Sequence, residues 1–484
     1  MKIIALVILI LTPQALADGG AHDEKSLWQL AKDSQTPMMQ QINASLEAAH
    51  LGVDSVDANF GARLIGGAGY SDTNEAKVSD MSPVFGPTNQ VSLGVQKNFR
   101  KGFSAALTTT SSQRSTTDGR INKNTKSETE LKVTMDLWKN LLGSLDQSKM
   151  DQAQFDREKA EAQAAIDRKG YEIDVRKMYW SMIANRESLN LAEGLLGSAK
   201  RQLVDSEARL ASSIGNNSEV ARLRAQVASR QNVIALLKYE RVQQEKGLSR
   251  LIPGLGGQPI QLAKVDLEKV VSEVQQCALV IGTRPPDPLS DTSYGKLLGA
   301  IDRSYVAKKA ITDTTSEMDL KLVGSYKAIG SEADSDYGST YGEMMEGGRD
   351  GHSIALELSV PLGQSMNRLE NRKHAVEKAS YEAEKRRLLA QLSSQKESII
   401  PLVMLLNEAV KNQKTNSALL GKSVRSVEKR YKQARLSLME LIREQDALQD
   451  SQLREIDAYL QVIHTILDHF RVFTELPCSM NSLS

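Results

Sequence analysis

The chain has little of what marks a compact enzyme or a helical membrane protein. Its 484 residues include two cysteines, six histidines and only 5% aromatic residues. No apolar run approaches the roughly 18 residues that a transmembrane helix needs. Any passage through a membrane is therefore expected to use a closed set of β-strands, the other structure that satisfies the backbone in lipid. Abundant Ala, Gln, Ser, Lys and Glu suit long helices and amphipathic strands better than a thick globular core.

Charge and motif patterns exclude two further classes of protein. Lys and Arg number 61 against 60 Asp and Glu, which removes the electrostatic reason to expect a nucleic-acid partner. The histidines lack metal-ligand spacing, and the segment from Gly66 to Gly69 lacks the Lys-Ser/Thr of a phosphate-binding loop. The sequence therefore predicts no catalytic, cofactor or metal site.

The first 17 residues are typical of a secretory signal. Lys2 precedes an apolar run from Ile3 to Leu11, and an Ala-Leu-Ala triplet ends at Ala17. A membrane anchor is disfavoured because the run is about half of the roughly 20 residues that span a bilayer. We expect cleavage after Ala17 and an exported mature protein that begins near Asp18.

Two proline-free stretches predict long helices, because proline breaks a helix interior. They run from Thr88 to Ile252 and from Leu402 to Leu476. In the first, Ala192 and Ala199 lie three positions after two members of a track on which an apolar residue recurs at every seventh position: Met182, Leu189, Leu196, Leu203 and Leu210. Such a narrow seam suits coiled-coil packing. A helix of about 65 residues is predicted here, which would be about 100 Å long.

The second stretch repeats this pattern. Its seven-residue track consists of Leu406, Leu420, Val427, Ala434, Leu441 and Leu448, interrupted at Gln413. Pro401 is expected to kink this helix near its start. Each track breaks at a turn, at 212–217 and at 433–437, and these turns are predicted to be the tips of two helical hairpins. When Arg209 is aligned with Arg430, Glu219 falls on Glu440, which indicates an internal repeat.

Alternation of apolar and polar residues predicts strands before each hairpin. The predicted strands are 59–70, 90–98, 103–111 and 130–139 in the first half, and 318–322 and 354–360 in the second. A tight turn is predicted from Phe99 to Gly102. Polar loops are predicted at 72–87, 111–127 and 330–351, and they are typical of the outer loops of a membrane barrel.

The order of these segments resembles the TolC-type family of outer-membrane efflux proteins, over essentially the whole mature chain. The resemblance also rests on the hairpin tips and on two passages from strand to helix, at Leu358–Gly363 and Leu137–Gly143. It implies a mixed α and transmembrane β fold, in which a trimeric outer-membrane β-barrel continues into a long periplasmic α-helical barrel. Each chain is then built from two internal structural repeats.

The resemblance divides the chain into five segments. These are a signal peptide (1–17), a first repeat (18–250), an equatorial linker (251–288), a second repeat (289–475) and a C-terminal tail (476–484). Each half needs two strands in the family plan, whereas four are predicted in the first half. The extra pair lies either in the barrel or in an additional hairpin beside it.

The resemblance implies the exit channel of a tripartite efflux or type I secretion system. The protein would lie in the outer membrane of a Gram-negative-type bacterium and extend into the periplasm. Its implied partners are two further copies of itself, outer-membrane lipid, a periplasmic adaptor protein and an inner-membrane transporter. A periplasmic coiled-coil adaptor is disfavoured because it would carry one hairpin among compact β-domains. A passive porin is disfavoured because the predicted helices fill over half the chain.

The resemblance also assigns roles to residues at the tips. Glu440 matches the first acid of a selectivity ring, and three copies would favour cations. An ordinary solvated helix residue is the other interpretation of Glu440, since Arg443 occupies the position of the next acid. Tyr431, Arg435 and Arg443 are the candidates for closing the tip. The candidates for adaptor contact are Ser213, Gly215, Glu219, Ala434 and Ser437.

Two interpretations of the cysteines follow from export. An even pair in an oxidising compartment indicates either a disulfide or two buried thiols. Cys277 lies in the linker and Cys478 in the tail. The family plan brings these segments into one belt around the tunnel, so a bridge between Cys277 and Cys478 would tie the tail to the linker.

Overall fold

The computed structural model describes residues 21–33, 36–72, 85–116, 122–255, 259–283, 289–315, 318–347, 349–360, 364–433 and 435–473. The predicted signal at 1–17 lies outside these residues, as do Ala434 and Cys478. The chain divides into two compact units. The first combines Met1–Ser45, Ala162–Lys296 and Leu388–Ser484, and the second combines Leu46–Glu161 and Leu297–Arg387.

Helices make up most of the described chain. Their bounds are α1 Glu24–Asp33, α2 Pro37–Ala58, α3 Ser144–Ala211, α4 Asn217–Leu251, α5 Leu267–Thr283, α6 Ser293–Thr315, α7 Tyr337–Met345, α8 Gln364–Lys432 and α9 Leu438–Phe470. Helices α3 and α8 have 68 and 69 residues, a length of about 100 Å each at 1.5 Å per residue. None of the described helices has an apolar stretch long enough to span a bilayer.

The helix α8 corrects one expectation from the sequence. It begins at Gln364, so the prediction that it starts near Pro401 is wrong, and Pro401 lies inside it. The residues before Pro401 keep the helix because apolar side chains there are also buried, including Leu392 and Ile399. Burial of an apolar face stabilises a helix more than local propensity does.

The core of the first unit is built from six helices, α1, α3, α4, α5, α8 and α9, and the segments that join them. Its buried side chains include Leu27 of α1, Trp180 of α3, Leu248 of α4, Val271 of α5 and Ile463 of α9. Each contributes about 2 kcal/mol through removal of its apolar surface from water. This core anchors the helices of both hairpins in one unit.

Towards the tip of α3, small and polar side chains are buried more deeply than the leucines of the predicted seam. Asn185, Ala192, Ala199 and Ser206 recur every seventh residue and all are buried, whereas Leu196 is half-buried. The heptad spacing was therefore predicted well, but the inner position is three residues along from the leucines. Small residues there let neighbouring helices approach closely.

The interruption of the second seam at Gln413 has a structural reason. Its amide Nε2 donates to the carbonyl oxygen of Ser451 at 2.7 Å, across the α8–α9 hairpin. Ser417 and Ser451 also share a hydrogen bond of 2.9 Å, and both are buried. A polar cluster thus replaces one apolar layer of the hairpin, and its buried groups find partners, as buried polar groups must.

In the described part of the second unit, six strands form one antiparallel sheet in sequence order. Their bounds are β1 Ala62–Ser71, β2 Phe85–Phe99, β3 Phe103–Thr116, β4 Lys123–Asp136, β5 Asp319–Ala333 and β6 Arg349–Ser359. The predicted turn before Phe103 is present. Gly102 has φ +74° there, and a Cβ at this position would lie 2.0 Å from the carbonyl oxygen of Asn140, so only glycine fits.

One face of the sheet is apolar across all six strands. The registered row Leu64, Val95, Leu107, Leu131 and Tyr326 crosses five of them, and each of these side chains is exposed. The opposite face carries charges, including the pair Lys126–Glu128 with 2.6 Å between Nζ and Oε2. The alternation of each strand is thus kept through the whole sheet.

The predicted polar loop at 330–351 is wrong in part. Strand β5 continues to Ala333, and α7 follows after a short turn. Helix α7 packs on β4 and β5, on the same face of the sheet as the apolar row. Thr340 Oγ1 of α7 lies 2.8 Å from Ser127 Oγ of β4 there. Asp336 begins the helix, since its carboxylate accepts from the backbone N–H of Ser339 at 3.0 Å.

Candidate functional site

The first hairpin tip is a tight turn between α3 and α4. Ser213 has φ +59°, and the backbone N–H of Ile214 donates to the carbonyl oxygen of Arg209 at 3.0 Å. A Cβ on Gly215 would lie 2.5 Å from the backbone nitrogen of Leu210, so the turn requires glycine there. The side chain of Asn216 accepts from the N–H of Ser218 at 2.9 Å and starts α4.

The second tip, between α8 and α9, is closed in a similar way. The N–H of Arg435 donates to the carbonyl oxygen of Arg430 at 3.0 Å. Ser437 then starts α9, because its hydroxyl accepts from the backbone N–H of Glu440 at 3.3 Å. Ala434 lies outside the described residues, so its predicted contact with an adaptor stays a prediction.

A hydrogen bond joins the two hairpins close to their tips. The hydroxyl of Tyr431 donates to the carboxylate Oε1 of Glu219, and the guanidinium of Arg209 lies 6.0 Å from the Tyr431 ring centroid. Burial, followed by the bond to Glu219, raises the pKa of Tyr431 to about 12. The phenol therefore stays protonated and remains a donor at every physiological pH.

An apolar layer lies beside this hydrogen bond. Leu223 of α4 and Leu438 and Leu441 of α9 are buried together, and Tyr431 packs against them. Because the layer excludes water from one side of the phenol, the bond to Glu219 is stronger than it would be in open solvent. The joined tips are thus held by both packing and a charged hydrogen bond.

A second polar link lies further from the tips. Arg230 of α4 donates through Nη2 to the Oδ1 of Asp446 on α9 at 2.5 Å. Its side chain is only 6% exposed, and burial lowers the pKa of Arg230 although Asp446 opposes that shift. Gln226 and Gln445 approach one turn nearer the tip, at 3.4 Å between Nε2 and Oε1.

The other predicted tip residues point to solvent. Glu440, Arg435 and Arg443 are exposed, and within the described part of the chain their side chains form no ion pair or hydrogen bond. Ser213 and Ser437 are exposed as well, whereas Gly215 is half-buried. The structure therefore brings Tyr431 and Glu219 together and leaves Glu440, Arg435 and Arg443 exposed, where they can meet another chain.

The described residues hold no cluster of three or more His, Cys, Asp or Glu side chains that suits a metal ion. Cys277 lies in α5 and is disulfide-bonded. Its predicted partner, Cys478, lies outside the described residues, so the pairing stays a prediction.

The chain is similar to known proteins in part of its sequence and in its fold. Residues 102–254 match the family model described as outer membrane efflux protein. No curated protein is significantly similar to the chain in sequence.

Three solved structures share the fold over nearly the whole chain. CusC, a protein studied for transmembrane channel formation, has a TM-score of 0.68 at 13% identity, over 93% of this chain and 91% of CusC. The outer membrane protein VceC of Vibrio cholerae has a TM-score of 0.65 at 12% identity, over 92% of this chain and 94% of VceC. The outer membrane channel CmeC of Campylobacter jejuni has a TM-score of 0.65 at 13% identity, over 95% of this chain and 88% of CmeC.

These matches confirm the resemblance to TolC-type outer-membrane efflux proteins that was predicted from the sequence. They also confirm the predicted location in an outer membrane with an extension into the periplasm. The matched family is one of transport proteins, and the shared fold agrees with the predicted role of an outer-membrane efflux channel.

Proposed function

We propose that this protein is an outer-membrane efflux channel, that it serves as the exit duct of a tripartite efflux or type I secretion system, and that three copies of the chain form it. Each copy contributes its strands to one β-barrel in the outer membrane and its two hairpins to a periplasmic tunnel of helices. A periplasmic adaptor docks on the hairpin tips, and an inner-membrane transporter supplies the energy. The duct itself catalyses no reaction.

The observation that carries this proposal is the joining of two hairpin tips within one chain. Helices of about 100 Å have few uses in a compact soluble protein. Here both hairpins end in tight turns, and Tyr431–Glu219 and Arg230–Asp446 hold the two ends side by side. Paired hairpins of equal reach suit the wall of a tunnel. The apolar face of the sheet, in turn, suits contact with lipid.

The tip residues have distinct roles in this duct. Tyr431 and Glu219 hold the closed arrangement inside each chain, while Arg435 and Arg443 reach towards neighbouring copies. Three Glu440 carboxylates around one axis repel anions and attract cations. Ser213, Gly215, Ala434 and Ser437, with the outer part of Glu219, form the surface that an adaptor contacts.

Electron microscopy of protein extracted from outer membranes in detergent tests the proposal, with particle mass measured by light scattering. We expect a three-fold hollow cylinder of about three chains. A monomer inside the micelle, or a water-soluble particle, would overturn the exit duct. A strain that lacks the protein separates the two systems, because it accumulates a small dye if the duct serves efflux and retains a secreted polypeptide if it serves secretion.

Planar-bilayer recordings test the ring of Glu440. Replacing Glu440 by Gln removes three charges from the axis, so the ratio of cation to anion permeability should fall severalfold. Glu207→Gln is the matched control, because Glu207 pairs with Arg224 on the first hairpin with 2.8 Å between Nη2 and Oε1. An unchanged ratio in Glu440→Gln would assign Glu440 to the solvated surface.

A further inference from the structure

The two strands in excess of the family plan belong to the same sheet as the other four. Strand β1 pairs with β2 without a break from Ala62–Lys97 to Ser71–Thr88. Strands β3 and β4 then pair without a break from Phe103–Met135 to Ser115–Lys123, and β4 pairs with β5 in the same way. An additional hairpin that stood beside the wall would interrupt one of these ladders.

The apolar face also continues to both ends of the sheet. Leu64 on β1 is 74% exposed and Ile354 on β6 is 82% exposed, more than Leu107 and Leu131 in the middle, which are 50% and 45% exposed. Among the described residues, each end strand lacks a neighbour on one side. Neither β1 nor β6 contains proline, one of the devices that protect a free strand edge. Both edges therefore have the character of strands that pair with another strand.

A second copy of this chain is the occupant that fits these edges. Six strands are fewer than the eight of the smallest single-chain outer-membrane barrel, so one chain cannot close by itself. In the antiparallel order β1 to β6, the two edge strands run in opposite directions. Pairing β6 of one copy with β1 of the next therefore continues the antiparallel alternation around the ring.

The stagger of the strands predicts where the copies meet. The registered row that starts at Ala62 reaches Ile354 on β6, yet β6 continues to Ser359. The end of β6 therefore lies five residues beyond the row that marks the start of β1, a stagger of about one residue at each of the five steps between strands. In a closed barrel this stagger corresponds to strands tilted by about 35° from the barrel axis. One further step places Leu64 of the next copy opposite Leu358. Both residues are on the apolar face and both are exposed.

This inference rests on the proposed trimeric duct. We propose that three chains pair β6 of one copy with β1 of the next, and that these β6–β1 seams close one barrel of eighteen strands, six from each chain. The family plan of two strands per half would give twelve. At a strand spacing of about 4.8 Å and a tilt of about 35°, eighteen strands make a wall about 35 Å across, against about 23 Å for twelve.

The diameter of the eighteen-stranded barrel determines the size of substrate that can pass through it. After about 5 Å of side chain on each side, the lumen is about 25 Å across, whereas twelve strands leave about 13 Å. A single helix with its side chains measures about 10–12 Å, so eighteen strands pass a polypeptide in the form of a helical hairpin. The polar face that lines the lumen carries both signs of charge, for example Lys327 Nζ at 3.6 Å from Glu130 Oε1.

Cysteine cross-linking in the outer membrane tests the seam. In the full chain, Leu64→Cys is combined in turn with Leu358→Cys, Leu356→Cys or Ile354→Cys. We expect oxidation to link chains into covalent dimers and trimers, with the highest yield for Leu358→Cys. Leu64→Cys alone is the control and should give none, because its copies lie far apart around the ring. Absence of linkage in all three pairs would overturn the β6–β1 seam.

Counting strands in an electron-microscopy map of the wild-type protein in lipid nanodiscs separates this inference from the proposed function. Eighteen strands in a wall about 35 Å across would support both. A trimer with twelve strands in the wall and a hairpin outside it would overturn the eighteen-stranded barrel and keep the exit duct. A monomer would overturn both.

Discussion

Tyr431 is the residue on which the joined tips depend most. Its hydroxyl meets the Glu219 carboxylate, its ring meets the Arg209 guanidinium, and its edge packs against the Leu223 layer. Tyr431→Phe keeps the packing and removes only the donor. We expect the free energy of unfolding to fall by about 1 kcal/mol. If the same loss applies to the closed channel, the ratio of open to closed states in channel recordings should rise about fivefold.

The pH dependence of this variant separates the hydrogen bond from packing. In the folded chain the pKa of Tyr431 is about 12, above its ordinary value of 10. As pH rises the unfolded chain releases this proton first, so the stabilisation is present below pH 10 and is lost towards pH 12. The urea midpoint of the wild type should therefore approach that of Tyr431→Phe between pH 10 and pH 12. A constant difference would contradict the assigned bond.

His464 provides the opposite test, on the acid side. Burial lowers its pKa below 6.5, and its Nε2 lies 3.2 Å from the carbonyl oxygen of Lys177 and 3.3 Å from the Ser181 hydroxyl. The charged groups that face it are Lys177 and Asp468. Because only the unfolded chain binds the proton readily, stability should fall as pH falls through 6.5. In urea titrations at pH 5 and pH 7.5, His464→Gln should lose part of that slope.

The sequence indicates some of these residues and not others. Tyr431 and Glu219 stand beside turns that the heptad breaks locate, so both were among the predicted tip residues. Arg230 and Asp446 were missed, because each looks like an ordinary charge on an exposed helix face. Their pairing depends on the crossing of two helices more than 200 residues apart in the chain, and no local pattern encodes that.

At the scale of elements, alternation located all six strands but underestimated the length of every strand except β1. Strand β5 was predicted to end near Leu322 and continues to Ala333. The reason is that its remaining residues carry apolar side chains on both faces, with Val323 and Ile329 on one face and Tyr326 on the other, so the period-two signal is lost. Helix α7 was missed for a related reason, since its nine residues include two glycines and no helical repeat.

Gly330 decides whether α7 can lie on the sheet. A Cβ at this position would come 2.0 Å from the carbonyl oxygen of Thr340 and 3.0 Å from the backbone nitrogen of Met344. Gly330→Ala should therefore displace α7 and raise the rate of proteolysis between residues 334 and 348 by at least tenfold. Gly324→Ala is the matched control, because a Cβ there has nothing within 4 Å on the same strand. Equal cleavage of both variants would show that α7 is held elsewhere.

At the scale of the whole molecule, the order of segments was the most predictable feature. Proline-free stretches and alternating stretches follow directly from backbone chemistry, and together they indicated the fold that the solved channels share. The number of strands in a closed wall was not predictable, because it depends on which edges remain unpaired after one chain has folded. Only the register of β1 to β6 shows those edges.

The two unpaired edges have a genetic consequence. Leu358→Asp changes a side chain that is exposed in the single chain, so the altered chain still folds and still offers its β1 edge to others. Mixed with an equal amount of wild-type chain, it leaves only about one ring in eight free of a defective seam. We therefore expect a dominant loss of efflux when both alleles are expressed together, measured as drug sensitivity against gene dosage. The same substitution in a chain that lacks residues 2–17, the predicted secretory signal, should be recessive, because a subunit that is not exported cannot enter the ring.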